Sequence, residues 1–271
     1  MPSAPKPPES PKPARAVDYI DRLALGGRYH FTTEQAAEAL GLSEIAARAA
    51  IRRLKPRGVI AAPMRGFHVF VSPEHRAAGC PPADQFLPEL MALVGALYYI
   101  GLLSVPRRHG VGIDEPTATQ VITHDNRPAI RCGDVRVAFI AKKNAAAVPV
   151  QMLATPRGEV AVSTPDATAV DLAAYPQHAG GLDGVALVLI GLADMLDPDK
   201  LVDAALHAEL PSVQRLGYLL DRIGASAVTG RLAAYVASLA PVTTPLDPRR
   251  PRDSAPRDPR WRLAINTDVG A

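Results

Sequence analysis

Cysteine is nearly absent. Cys80 and Cys132 are the only two among 271 residues, too few for a disulfide framework, and such usage suits a reducing cytoplasm. Long apolar runs are missing too. The longest uncharged, mostly apolar stretch covers residues 90–105, short of the roughly 20 residues that a bilayer crossing requires. It reads instead as part of a buried helix over 87–103. No secretory signal is expected, because residues 1–16 carry six prolines and no apolar segment. These absences exclude a secreted, disulfide-stapled or membrane-spanning protein, and no membrane partner is expected.

Net charge is only +3, but it is unevenly placed. Residues 1–80 hold 12 Lys/Arg against 7 Asp/Glu, whereas the remainder holds 18 against 20. Between positions 45 and 70 stand Arg48, Arg52, Arg53, Lys55, Arg57 and Arg65, with no acidic residue among them. An excess of this kind suits a polyanionic partner, although charge alone is equally compatible with a solvated basic face.

Proline and glycine divide the chain into a disordered Pro/Lys tail over 1–15, a first domain over 16–75, a linker over 76–84 and a larger domain over 85–271. In the first domain, Val17, Ile20, Leu23 and Leu25 follow helical spacing up to Gly26-Gly27. A short strand at 29–32 comes next. Thr32 or Thr33 caps a helix over 34–40, Gly41-Leu42 turns the chain, and Ser43 caps a helix over 44–55. Pro56 and Gly58 stop that helix. Residues 59–61 and 67–71 then form two strands about a turn at 63–66. This order predicts a winged helix-turn-helix DNA-binding domain.

At about 100° per residue, the third helix turns Ala47, Ile51 and Leu54 inward. Ile45, Ala49 and Arg52 point outward, flanked by Arg48 and Arg53. Small side chains admit a close approach to the major groove, and arginine pairs with phosphate or with guanine O6 and N7. The predicted DNA-binding residues are therefore Ser43, Ile45, Arg48, Ala49, Arg52 and Arg53 on this helix, with Arg65 and His68 on the wing. Glu44 at the helix start favours the macrodipole, with a contact to a cytosine amino group as the alternative.

The larger domain reads as a mixed α/β sheet followed by a helical half, so the chain as a whole is α+β. Strands are expected at 120–124, 129–131, 135–141 and 160–162. Thr164 caps a helix over 165–175, Gly180-Gly181 opens an apolar helix over 182–196, and Asp197 caps the next. Helices over 212–223 and 225–239 follow. A Pro-rich strap over 241–259 leads to a half-buried strand over 261–267.

Chemistry-bearing motifs are lacking. His109, His124, His178 and His207 are scattered, with no HExxH, no zinc-spaced cysteines and no phosphate-binding loop. Ser104, read as the cap of a short helix to His109, has no nucleophile-elbow glycines around it. Asp166 suits a first-turn dipole role, and Asp171 a buried anchor for an arginine or a backbone amide. Lys142-Lys143 and Arg249-Arg250 read as exposed solubilising charge, with partner contact as the alternative. No metal, cofactor or enzymatic activity is expected.

An ordered set of motifs resembles the AbiEi family of antitoxins. These are Tyr98-Tyr-Ile-Gly-Leu-Leu-Ser104 with His109-Gly110, the stretch Ser163-Thr-Pro-Asp-Ala-Thr-Ala-Val-Asp-Leu172, and Gly180-Gly-Leu-Asp183. Gln214-Arg-Leu-Gly-Tyr-Leu-Leu220, Pro245-Leu-Asp-Pro248 and Asp258-Pro-Arg-Trp-Arg262 complete the set. The resemblance implies the antitoxin of a type IV, abortive-infection toxin–antitoxin pair. It further implies repression of the protein's own operon through inverted repeats in promoter DNA, and neutralisation of a nucleotidyltransferase-like toxin with or without direct contact. Two alternatives stand beside it. One is a ligand-responsive winged-helix regulator; the other is a nucleic-acid-processing enzyme using Asp134, Asp166, Asp171 and His124.

Overall fold

The computed structural model describes residues 15–111, 116–239 and 242–270. The tail expected over 1–15 lies, but for Arg15, outside them. Chain contacts divide the protein into two compact units, Met1–Glu89 with Ile130–Val135, and Leu90–Ala129 with Arg136–Ala271.

The first unit contains α1 (Ala16–Leu25), β1 (His30–Thr32), α2 (Thr33–Leu40), α3 (Glu44–Leu54), β2 (Ile60–Met64) and β3 (Phe67–Phe70). Its sheet has the order β1-β3-β2 and is antiparallel throughout. Thr32 begins α2 with a capping box: its hydroxyl accepts the Gln35 amide, and the Gln35 side chain accepts the Thr32 amide. Gly41, at φ 62°, ends α2. The Ser43 hydroxyl then accepts the Ala46 amide at 3.3 Å and starts α3. Phe31 sits at the centre of the core, with Tyr19, His68 and Phe70 rings at 5.8, 5.1 and 5.9 Å. Three helices and a three-strand sheet in this order make a winged-helix arrangement.

The unit boundary falls at Glu89 rather than within 76–84. Cys80 is buried, and the Asp134 amide donates to the Ala78 carbonyl at 2.7 Å. Gly133 makes this approach possible. It holds a φ of 56°, and a Cβ there would run into the Ala78 carbonyl.

In the second unit, α4 (Leu87–Leu93) ends at Gly95, and β4 (Tyr98–Ile100) follows. The long helix expected over 87–103 is thus a short helix and a strand. Gly95 takes a left-handed φ of 62°, and Tyr98-Tyr99-Ile100 pairs with β5 (Thr119–Thr123), as aromatic and β-branched residues favour. Then β6 (Ile130–Cys132) returns to the first unit, and β7 (Val135–Ala141), β8 (Val150–Thr155) and β9 (Gly158–Ser163) continue the second. Within this unit the sheet runs β7-β5-β4-β9-β8, with β5–β7 and β4–β9 parallel and β4–β5 and β8–β9 antiparallel.

The helical half contains α5 (Pro165–Ala174), α6 (Gly181–Leu192), α7 (Pro198–Ala205), α8 (Leu210–Arg222) and α9 (Thr229–Ser238). Thr164 caps α5 through the Ala167 amide, and Asp197 caps α7 through the Asp199 and Lys200 amides. From Asp166 through Ala173, α5 is buried at every position, the signature of a central helix. The chain closes on β10 (Thr244–Pro245), β11 (Arg257–Asp258) and β12 (Leu263–Ala264), in the order β10-β12-β11. The half-buried strand expected over 261–267 is reduced to β12, because Arg262 adopts a φ of 53°. Trp261 is buried.

Candidate nucleic-acid interface

One face of α3 belongs to the core and the opposite face to solvent. Ala47, Ile51 and Leu54 are buried. Arg48, Arg52 and Arg53 are exposed, as are Ser43 and Ile45, and Ala49 is half-buried. Ile45 is 79% exposed, a large apolar side chain with nothing of its own unit over it. Arg48 donates to Glu44 at 2.7 Å, one helical turn away. Its guanidinium is thereby held along the helix rather than extended from it. Residues four apart on a helix are placed to pair in this way, and the carboxylate expected to favour the helix dipole is engaged by Arg48. Ser43 spends its hydroxyl on the cap of α3.

The wing is the turn between β2 and β3. Arg65 is exposed at its tip, and Gly66 takes a φ of 84°. The Thr33 amide donates to the Gly66 carbonyl at 2.9 Å, which fastens the wing to the start of α2. His68 departs from its predicted place in the interface. It is 7% exposed, stacks on Phe31 and shares a 3.1 Å hydrogen bond with the Thr33 hydroxyl. Burial, with a smaller effect of the Lys55 charge, pulls its pKa down to about 4. Alternation on β3 fails as a guide to its faces, because all four residues of the strand are buried. His68 is a core residue and offers DNA neither a charge nor a surface.

In the larger unit the motif residues form a buried framework. Tyr99 donates to Asp171 Oδ2 at 2.7 Å, and Lys142 donates to Asp171 Oδ1 at 2.6 Å. Burial and the Asp171 carboxylate push the Tyr99 phenol far upward. Lys142, expected to be exposed, is buried, because the Asp171 carboxylate supplies the countercharge that its ammonium needs away from water. Asp171 therefore anchors a lysine and a tyrosine rather than an arginine or an amide. Asp166 accepts the Asp197 amide at 2.9 Å, and burial raises its pKa. Arg215 donates to the carbonyls of Leu246 and Ala173, joining α8 to the C-terminal strap and to α5.

Trp261 donates through Nε1 to Asp221 at 2.6 Å and packs where a Gly217 Cβ would stand. Ser104 accepts the Gln120 amide instead of capping a helix. His124 bonds the Lys143 carbonyl. Arg249 and Arg250 remain exposed, both paired with Asp247. Among the described residues, no three His, Cys, Asp or Glu side chains are placed to hold a metal ion, and no helix is long and apolar enough to cross a membrane.

A small winged-helix unit joined to a larger domain of mixed sheet and helices is the class of fold this chain adopts. Residues 99–222 match the AbiEi antitoxin C-terminal domain. The crystal structure of the RV2827C protein from Mycobacterium tuberculosis is similar over 92% of this chain and 90% of that one, with a TM-score of 0.61 and 20% sequence identity. That likeness concerns the fold of both units. No curated protein matches the chain.

Proposed function

We propose that the protein is a DNA-binding antitoxin. In this reading its winged helix represses its own operon by binding promoter DNA, at inverted repeats, and its larger domain counteracts a nucleotidyltransferase-like toxin in the cytoplasm. The observation that carries the DNA-binding half is the outward face of α3. Arg48, Arg52 and Arg53 stand in solvent around Ile45 and Ala49, with Arg65 exposed on the wing. A helix with that face inserts small and apolar side chains near base edges and puts guanidinium groups at guanine or phosphate. The matched antitoxin domain carries the other half. The larger domain acts here by binding, without catalysis, since Asp166 and Asp171 are both occupied in holding elements together.

A reporter fused to DNA from upstream of the protein's own gene tests the first half. Wild-type protein represses it, and a folded Arg48→Ala/Arg52→Ala protein does not. Equal repression by both proteins would remove α3 from the interface. Co-expression with the nucleotidyltransferase-like product of an adjacent gene tests the second half. Growth is restored by the wild-type chain, and failure to restore it would reject the antitoxin assignment for that pair.

A further inference from the structure

The two cysteines, far apart in sequence, meet in the first unit. Cys80 lies in the segment before α4 and Cys132 ends β6; both are reduced and buried, and each stands two residues from the Asp134–Ala78 backbone hydrogen bond that joins their segments. The surrounding backbone holds them there. The Asp134 amide bonds the Ala78 carbonyl at 2.7 Å, Gly133 lies against Ala78 and Gly79 with no room for a side chain, and β6 packs on β2. Ala62 lies in the stretch of β2 between Ala61 and Met64 where register with β3 is lost. Its backbone amide is close enough to Cys132 to favour the thiolate.

These surroundings distinguish the two thiols. The neighbouring Cys80 thiol, the Ala62 amide and the Lys55 charge outweigh burial and bring Cys132 down to about 7, so a large share of it is thiolate at neutral pH. Cys132 is the less enclosed of the two, at 8% exposure against 0% for Cys80. A buried cysteine that only fills space needs neither a second thiol nor a cation beside it.

We propose that Cys80 and Cys132 are a redox-modification site, at which the pair closes to an intrachain disulfide by exchange with a small-molecule disulfide. The Cys132 thiolate attacks one sulfur of the oxidant, forming a mixed disulfide and expelling the other half as a thiolate. The Cys80 sulfur then attacks Cys132, breaks the mixed disulfide and expels the second half, and the Cys80 proton passes to a departing thiolate. Two protein thiols are oxidised to one disulfide, and one disulfide of the oxidant is reduced to two thiols. The reaction concerns the first unit alone and stands apart from the DNA-binding reading.

The experiment incubates the native full-length chain with oxidised glutathione, alkylates the remaining thiols after denaturation, and reads the intact mass. The wild type takes up neither an alkyl group nor glutathione, and its mass falls by two hydrogens, reversibly on reduction. Cys80→Ser stops at a glutathione adduct on Cys132. Cys132→Ser reacts about tenfold more slowly, because the remaining thiol is fully enclosed. A wild-type chain that keeps both cysteines alkylatable, retains a stable glutathione adduct, or forms only a disulfide between two chains overturns the proposal. Each of these outcomes is read on the wild type alone, so a variant that fails to fold does not obscure them.

Discussion

Lys142 Nζ lies 2.6 Å from Asp171 Oδ1, with 7% of the lysine side chain and 0% of the aspartate exposed. Lys142 directly follows β7, and Asp171 sits mid-way along the central helix α5. Tyr99 of β4 donates to the second oxygen of the same carboxylate. One buried charge thus ties two strands of the sheet to the helix that covers them. Taking two charges out of water is costly, and only their mutual pairing with a complete set of hydrogen bonds offsets it.

Lys142→Met leaves the Asp171 charge buried with a tyrosine hydroxyl as its one remaining partner among these groups. The expected loss is about 3–5 kcal/mol of stability. Adding Asp171→Asn recovers part of it, because no uncompensated charge remains. Urea unfolding of the single and double variants checks this. A single-variant loss below that of an exposed pair, roughly 1 kcal/mol, would contradict it.

Gly217→Ala sets a helix-propensity gain of about 1 kcal/mol against an overlap with the Trp261 ring. The overlap wins, because both the ring and the helix backbone are fixed by packing, and the net cost is about 1–3 kcal/mol. Trp261 is the only tryptophan, so its fluorescence reports the displacement directly. An unchanged spectrum with unchanged stability would show that the ring has room.

His68 makes stability depend on pH. Its folded pKa of about 4 lies below the ordinary histidine value of 6.5, so the unfolded chain binds the proton more tightly. The contribution is complete above pH 6.5 and is lost as pH falls towards 4. Between pH 7 and pH 5 the expected loss from this group is about 2 kcal/mol. His68→Gln keeps a polar side chain beside Thr33 and removes that slope. Denaturation curves at the two pH values compare them, and equal slopes in wild type and variant would refute the assignment.

Much of this fold was legible in the sequence because its punctuation is local. Thr32 with Gln35, Gly41 and Ser43 set both ends of α2 and the start of α3 through contacts within three or four residues, and Gly58 ends the tight turn that follows α3; Thr164 and Asp197 set the starts of α5 and α7 in the same way. The interior stripe of α3 followed from its period. What escaped was non-local. Nothing near Lys142 in sequence announces Asp171, which belongs to another element. The edge strand β8 alternates exposed and half-buried positions, but its exposed side carries the apolar Val150 and Met152, so the apolar/polar alternation that marks a strand is blurred. His68 was misplaced because both faces of β3 are covered, which alternation in the sequence does not reveal.

Glu44 and Arg48 form an exposed pair on the face of α3 proposed to meet DNA. Such a pair is worth about 0.3–0.5 kcal/mol to the helix. Glu44→Ala therefore costs little stability while removing the one acidic group from a basic surface and freeing the Arg48 guanidinium. Affinity for duplex DNA is expected to rise. A fall in affinity would mean that Glu44 itself contacts a base.

The most direct test of the central claim is a salt-titrated mobility shift with DNA from upstream of the protein's own gene, against a scrambled duplex. The account predicts specific binding that weakens steeply with salt. Arg48→Ala and Arg52→Ala each lose about 1–3 kcal/mol on the specific duplex. Arg65→Ala weakens both duplexes alike and lowers the salt slope by about one phosphate contact. Equal, weak binding to both duplexes, unchanged in a folded Arg48→Ala/Arg52→Ala protein, would contradict the account and leave the α3 face as a surface for another partner.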